Sequence, residues 1–200
     1  MQILIVGDLH IPNSKVVISN SDTFTEVFNT LNLIKNTIEE NKPEYTIFMG
    51  DIFGAPYNIS ISVLSSVSNI IADMALETKL IFIVGNHDMS SINEDTIKIS
   101  DGNSFKYRAN LLSPYRHYPN VLVVDKPSVF SIDKTNIELA FIPYSNDINK
   151  DLDSIKNKFG VGTKRICLGH FNMRSGLMMM SDNADINENL PTPEEMVDKY

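Results

Sequence analysis

Apolar runs and helical stripes alternate along the first half of this chain. Gln2–Val6, Tyr45–Met49 and Leu80–Val84 are short and nearly continuously apolar, the texture of strands covered on both faces. Between them, Phe24, Val27, Phe28, Leu31, Ile34 and Ile38 recur at helical spacing. Val63, Leu64, Val67, Ile70, Ile71 and Met74 repeat the pattern. The stripes predict helices over about 24–41, with Asp22 as N-cap, and over about 62–77. The order βαβαβ implies parallel neighbouring strands, right-handed crossovers and helices packed outside the sheet.

The second half reads differently. Met89–Tyr118 has no strong period and is expected to be a long loop with helical turns. Val121–Val124, Ser128–Ile132 and Ile137–Ile142 are short strand candidates divided by turn residues, which suggests an antiparallel second sheet or edge. Asp151–Phe159 predicts a short helix. Lys164–Leu168 predicts a core strand, with Lys164 and Arg165 solvated and Cys167 an inert core thiol. Beyond Phe171 the chain turns polar, apart from Met178–Met180, and a helix is expected from Pro193 into Tyr200. No repeat or low-complexity linker interrupts it, so a single domain over residues 1–200 is the simplest organisation.

Composition adds limits. With 42% hydrophobic and 21% charged residues the chain falls in the ordinary globular range. One cysteine excludes an internal disulfide framework and suits a reducing compartment. No apolar run reaches membrane-spanning length and the N-terminus has no basic leader, so a cytoplasmic location is expected. A net charge of −8 argues against a broad basic nucleic-acid surface. Bound divalent cations or a partner subunit would offset that charge locally.

The chemistry lies where strands end. Gly7-Asp8-Leu9-His10, Gly50-Asp51, Gly85-Asn86-His87-Asp88 and Gly169-His170 each follow an apolar run directly. Ligands of parallel α/β sheets bind outside the carboxyl ends of the strands, so these clusters can converge. Asp8 and His10, two positions apart, can point to the same side of an extended loop. Mixed carboxylate, imidazole and amide donors suit manganese, iron or zinc better than calcium. A carboxylate such as Asp51 can bridge two ions. Each motif alone has a plain structural reading: Gly50-Asp51 as a common turn, His170 as a structural histidine after a strand.

Taken in order, Asp8-x-His10, Gly50-Asp51, Gly85-Asn86-His87-Asp88 and Gly169-His170 resemble the calcineurin-like metallophosphoesterase superfamily. Gly7–His10, Gly50-Asp51-Ile52-Phe53 and Ile142-Pro143-Tyr144 look most like the SbcD-type DNA-repair nucleases and phage recombination endonuclease subunits. The resemblance implies an α/β fold, the four-layer α/β/β/α sandwich of that superfamily. It implies two divalent ions, manganese first, with magnesium, iron or zinc as alternatives. Asp8 and His10 would hold the first ion, Asp51 would bridge, and Asn86 and His170 would hold the second. His87 would act on the phosphate as proton donor or charge stabiliser, and Asp88 would orient His87 by hydrogen bonding.

The implied function is metal-dependent phosphodiester hydrolysis, as a DNA exonuclease or endonuclease in recombination or repair. DNA and an SMC-like ATPase would be partners, with homodimer formation in reach and no membrane association. A phage-encoded copy would work in the host cytoplasm. Two rival readings are a small-molecule or protein phosphoesterase and a non-catalytic, partner-binding remnant. The family's last motif, Gly-His-x-His, has no counterpart among the four histidines, since His117 stands before His170 and reads as a solvated loop residue. Residues 1–200 are therefore expected to be the N-terminal portion of a longer domain, incomplete at the C-terminus. Alone, they are expected to bind metal weakly and to have little or no activity.

Overall fold

A computed structural model describes residues 1–12, 23–57, 59–90, 95–98, 104–107 and 109–171. Asp22, the Met178–Met180 run and the expected helix from Pro193 lie outside these residues. The chain divides into two compact units, Met1–Asp125 and Lys126–Tyr200.

In the first unit, β1 (Ile3–Val6), β2 (Tyr45–Phe48), β3 (Lys79–Ile83) and β6 (Val121–Val124) form one parallel sheet in the order β1-β2-β3-β6. β4 (Asp95–Lys98) and β5 (Ser104–Tyr107) form a separate antiparallel pair. Helix α1 (Thr23–Asn41) joins β1 to β2, and α2 (Ile61–Glu77) joins β2 to β3. Every residue of β2 is buried, and Lys79 alone of β3 is exposed, as continuous apolar runs require. The Phe48 and Phe82 rings stack at 4.9 Å.

Leu31 and Ile38 of α1 and Val63, Val67, Ile71 and Met74 of α2 are buried. Each such side chain contributes about 1.5–3 kcal/mol relative to exposure. The exposed pairs Lys35–Asp73 and Lys42–Glu77 tie the two helices but count for little beside that core. Ser60 caps α2, its hydroxyl accepting the Val63 amide at 3.3 Å.

Two expectations are corrected here. Val121–Val124 belongs to the first sheet, parallel to β3, and not to an antiparallel second one. Its four residues carry no directional signal; the long stretch from β3 to β6 returns the chain to the same end of the sheet. The stretch expected to be loop contains the β4–β5 pair as well as a 3₁₀ turn over Ser113–His117. Strands of four residues with one apolar position in Asp95–Lys98 are too short for alternation to register.

The second unit holds β7 (Ser128–Ser131), β8 (Ile137–Ile142) and β9 (Lys164–Gly169), with β7 antiparallel and β9 parallel to β8. Helix α3 (Ile148–Ile155) starts three residues earlier than its predicted position, because the Asp147 carboxylate accepts the Lys150 amide and caps it. Ile148, Leu152 and Ile155 pack with Ala140 and Ile142 of β8. β9 is an edge strand among the described residues, so Lys164–Cys167 is exposed and not the core strand expected. Cys167 is accordingly solvent-accessible and not a core thiol. The chain around it still desolvates its sulfur and pushes the thiol up to about 11, which keeps it protonated and unreactive at neutral pH.

One buried carboxylate ties this unit together. Glu138 of β8 accepts the Thr163 hydroxyl at 2.7 Å, the Gly160 amide at 2.8 Å and the Ser131 hydroxyl at 3.0 Å. The Thr163 and Gly160 bonds hold its carboxyl below the usual value of 4.5. A depressed folded value means that this stabilisation is complete at neutral pH and disappears as pH falls through the folded value. Glu138→Gln should lower the unfolding midpoint at pH 7 and leave a gap from wild type that closes below pH 4.5. Urea unfolding across that range checks it; a gap independent of pH would assign the effect to shape and not ionisation.

Candidate metal centre

The ends of β1 and β2 are laced together by main-chain bonds. Beyond β2, Gly50 (φ 106°) and Asp51 (φ 47°) take left-handed backbone in succession and turn the chain sharply. That turn presents the Asp51 carbonyl to the Leu9 amide at 3.1 Å and to the His10 amide at 2.9 Å. Ile11 then donates to Ile52 at 2.9 Å and Gly54 to Ile11 at 2.8 Å, so the loops after β1 and β2 run as one ribbon. His10 is also left-handed, with φ 48°. Two non-glycine residues in this sparsely populated region at one location are a sign of backbone held for function.

The loop after β3 is locked by two buried carboxylates. Asp88, fully buried, accepts the Phe53 amide with Oδ1 and the Gly85 amide with Oδ2, both at 3.0 Å. Asp51, also buried, accepts the His87 amide with Oδ1 at 2.9 Å. Gly85 makes this approach feasible. A Cβ there would stand 2.2 Å from Asp51 Oδ1 and 2.3 Å from the Asp51 nitrogen. The glycine is required here by space and not by torsion.

Held in this way, three side chains converge. Nε2 of His10 lies 3.8 Å and Nε2 of His87 lies 4.0 Å from Asp51 Oδ2, and the two rings meet edge to face at 5.0 Å. The offered atoms of His10, Asp51 and His87 all fall within 4.8 Å of one another. Such separations exceed a hydrogen bond, yet two donors each ~2.1 Å from one ion stand roughly 3.0–4.2 Å apart. His10 and Asp51 are therefore spaced to share a divalent transition ion, with Nε2 of His87 at the same point. Asp8 offers a carboxylate oxygen within 4.8 Å of that of Asp51. Two carboxylates so close repel without a cation between them.

The His87 ring is oriented through its other nitrogen. Nδ1 stands 2.8 Å from the Gly54 carbonyl, which can only accept, so Nδ1 carries hydrogen and Nε2 is the atom turned toward Asp51. Gly54 was not singled out by sequence reasoning, because a main-chain acceptor leaves no mark on residue type. Asp88, expected to orient His87, uses its carboxylate to tie the loops on either side of it. Asn86 sits exposed in the turn, its carbonyl accepting the Met89 amide at 3.4 Å. His117 is exposed at the end of the 3₁₀ turn, as expected. In the second unit, His170 follows β9 half-buried; its amide donates to Ile142 at 2.9 Å, and its ring lies 6.3 Å from Tyr144.

The calcineurin-like phosphoesterase family profile matches residues 1–191, across both units. The chain belongs to that family. Calcineurin-like phosphoesterases are metal-dependent hydrolases of phosphoesters, and the mixed α/β architecture with its parallel sheet accords with their fold. Among solved structures, the nuclease MPE of Pseudomonas putida is 23% identical, with 70% of this chain and 52% of that one covered, at a TM-score of 0.39. The chain thus spans about half the length of that nuclease. No curated protein matches it. No helix among the described residues is long and apolar enough to cross a membrane.

The contact at Gly85 yields a test. Gly85→Ala must displace Asp51, so it should cost at least the ~1–3 kcal/mol typical of overpacking and weaken Mn²⁺ binding as well. Thermal unfolding and Mn²⁺ calorimetry measure the two effects; unchanged metal affinity would detach this close approach from the site.

Proposed function

We propose that this phosphoesterase hydrolyses phosphodiesters of DNA, as the nuclease subunit of a recombination or repair assembly. The observation that carries the reading is the convergence of His10, Asp51 and His87 on one point at the strand ends, with His87 oriented from behind by the Gly54 carbonyl. By motif order, Asp8 and His10 would hold one ion, Asp51 would serve both, and Asn86 would serve the other. Such donors suit manganese, iron or zinc, and the motif resemblance puts manganese first. Divalent ions held by these residues would activate a water and neutralise charge on the phosphoryl oxygens.

His87 does the chain's own proton chemistry. With Nδ1 donating to the Gly54 carbonyl, the ring is fixed with Nε2 facing the site. In its acid form the ring can give the Nε2 proton to the leaving oxygen as the ester bond breaks. Asp51 has two duties, one oxygen on the His87 amide and the other toward the imidazoles. Asp88 holds the loops so that these groups do not drift. The sequence motifs favour a DNA substrate, an SMC-like ATPase partner and a cytoplasmic setting.

Two substitutions separate the roles. Asp51→Asn should abolish two-metal occupancy while leaving the fold largely intact; calorimetric titration with Mn²⁺ reads it, and equal stoichiometry for both proteins would remove Asp51 from the site. In the full-length protein, His87→Ala should retain metal but lower turnover of a phosphodiester by about 10²–10⁴-fold. Loss of metal together with activity would make His87 a ligand instead.

A further inference from the structure

Three residues past Gly54, the same loop carries Tyr57. The residue is 59% exposed, yet its hydroxyl donates to the main-chain carbonyl of Ser90, two residues past Asp88. The side chain therefore spans both loops that build the site, the one holding Gly54 and the one holding His87. An exposed tyrosine ordinarily leaves its hydroxyl in water and its ring free to swing. Here Pro56 restricts the backbone on one side and the Ser90 bond fixes the far end of the ring. The result is a rigid aromatic surface kept open to solvent at the edge of a phosphoester site.

We propose that Tyr57 is a stacking platform for an unpaired nucleobase beside the phosphodiester at this site, favouring single-stranded or frayed nucleic acid. The inference rests on the nuclease reading above. Any base offers a π-face to such a ring, so the grip is independent of sequence. Bases inside a duplex have both faces covered by their neighbours and cannot use it. Stacking also answers a problem of charge: at −8 the chain has little general attraction for a phosphate backbone. Pre-ordering the ring through Ser90 lowers the entropy lost on binding.

Anisotropy of a labelled oligothymidylate in Ca²⁺, chosen to hold the strand without turnover, tests the proposal. Tyr57→Leu should weaken binding about fivefold or more, and Tyr57→Phe, which keeps the ring, less than about twofold. A strand made abasic throughout should bind wild type and Tyr57→Leu alike. Equal affinity of wild type and Tyr57→Leu for oligothymidylate would overturn the inference and leave the nuclease reading standing. Tyr57→Phe as weak as Tyr57→Leu would also overturn it, since the hydroxyl and not the ring would matter. If wild type ignores the strand but still cleaves a simple aryl phosphodiester, the nuclease reading and the inference fall together.

Discussion

The packing of Asp51 against Gly85 is the constraint on which the site depends. Asp51, in the loop after β2, is bonded to both other strand-end loops: its carbonyl takes two amides from the loop after β1, and its carboxylate takes the His87 amide after β3. A buried charge in such a position is costly unless hydrogen-bonded, and here the partners are main-chain amides that themselves need acceptors. The left-handed turn at Gly50 and Asp51 brings these groups into place, and the missing side chain at Gly85 leaves them room. Strain in the backbone and saturation of its amides are two sides of one arrangement.

Division of labour among the acids follows from burial. Asp88 is fully enclosed and accepts amides from both the Gly54 and the His87 loops, so it acts as a clamp. Asp51 is buried but turns one oxygen toward two imidazoles. Asp8 is exposed, at the rim. One carboxylate type thus serves three purposes, set by how much water and how many amides each one meets. The second unit repeats the logic without chemistry: Glu138 of β8 takes donors from two segments, β7 and the loop before β9, and so joins all three.

Much of this was legible along the chain because burial leaves periodic marks. β2 and β3 are covered on both faces, so Leu80–Ile83 is apolar throughout and Tyr45–Phe48 is apolar but for Thr46, whose hydroxyl bonds to that of Thr78. Helices α1 and α2 each bury one stripe, which shows as spacing. Where elements are short or lie at an edge, the pattern fades: β4 and β5 are four residues each, and β9, at a sheet edge among the described residues, is apolar in part yet exposed. The direction of β6 was not readable either, since a strand's sequence does not record which neighbour it pairs with.

Sequence alone determined the residue types at the strand ends, and with them the family and the carboxylate, imidazole and amide groups on offer there, because such chemistry demands particular atoms. Only the tertiary structure decided how those atoms are held. The Gly54 carbonyl that sets the His87 ring, the amides taken by Asp88 and the Ser90 carbonyl that anchors Tyr57 are all main-chain partners or serve them. Every residue but proline carries such an amide and every residue such a carbonyl, so residue type cannot say which one is used. Folding selects among them, by bringing distant loops within hydrogen-bonding distance.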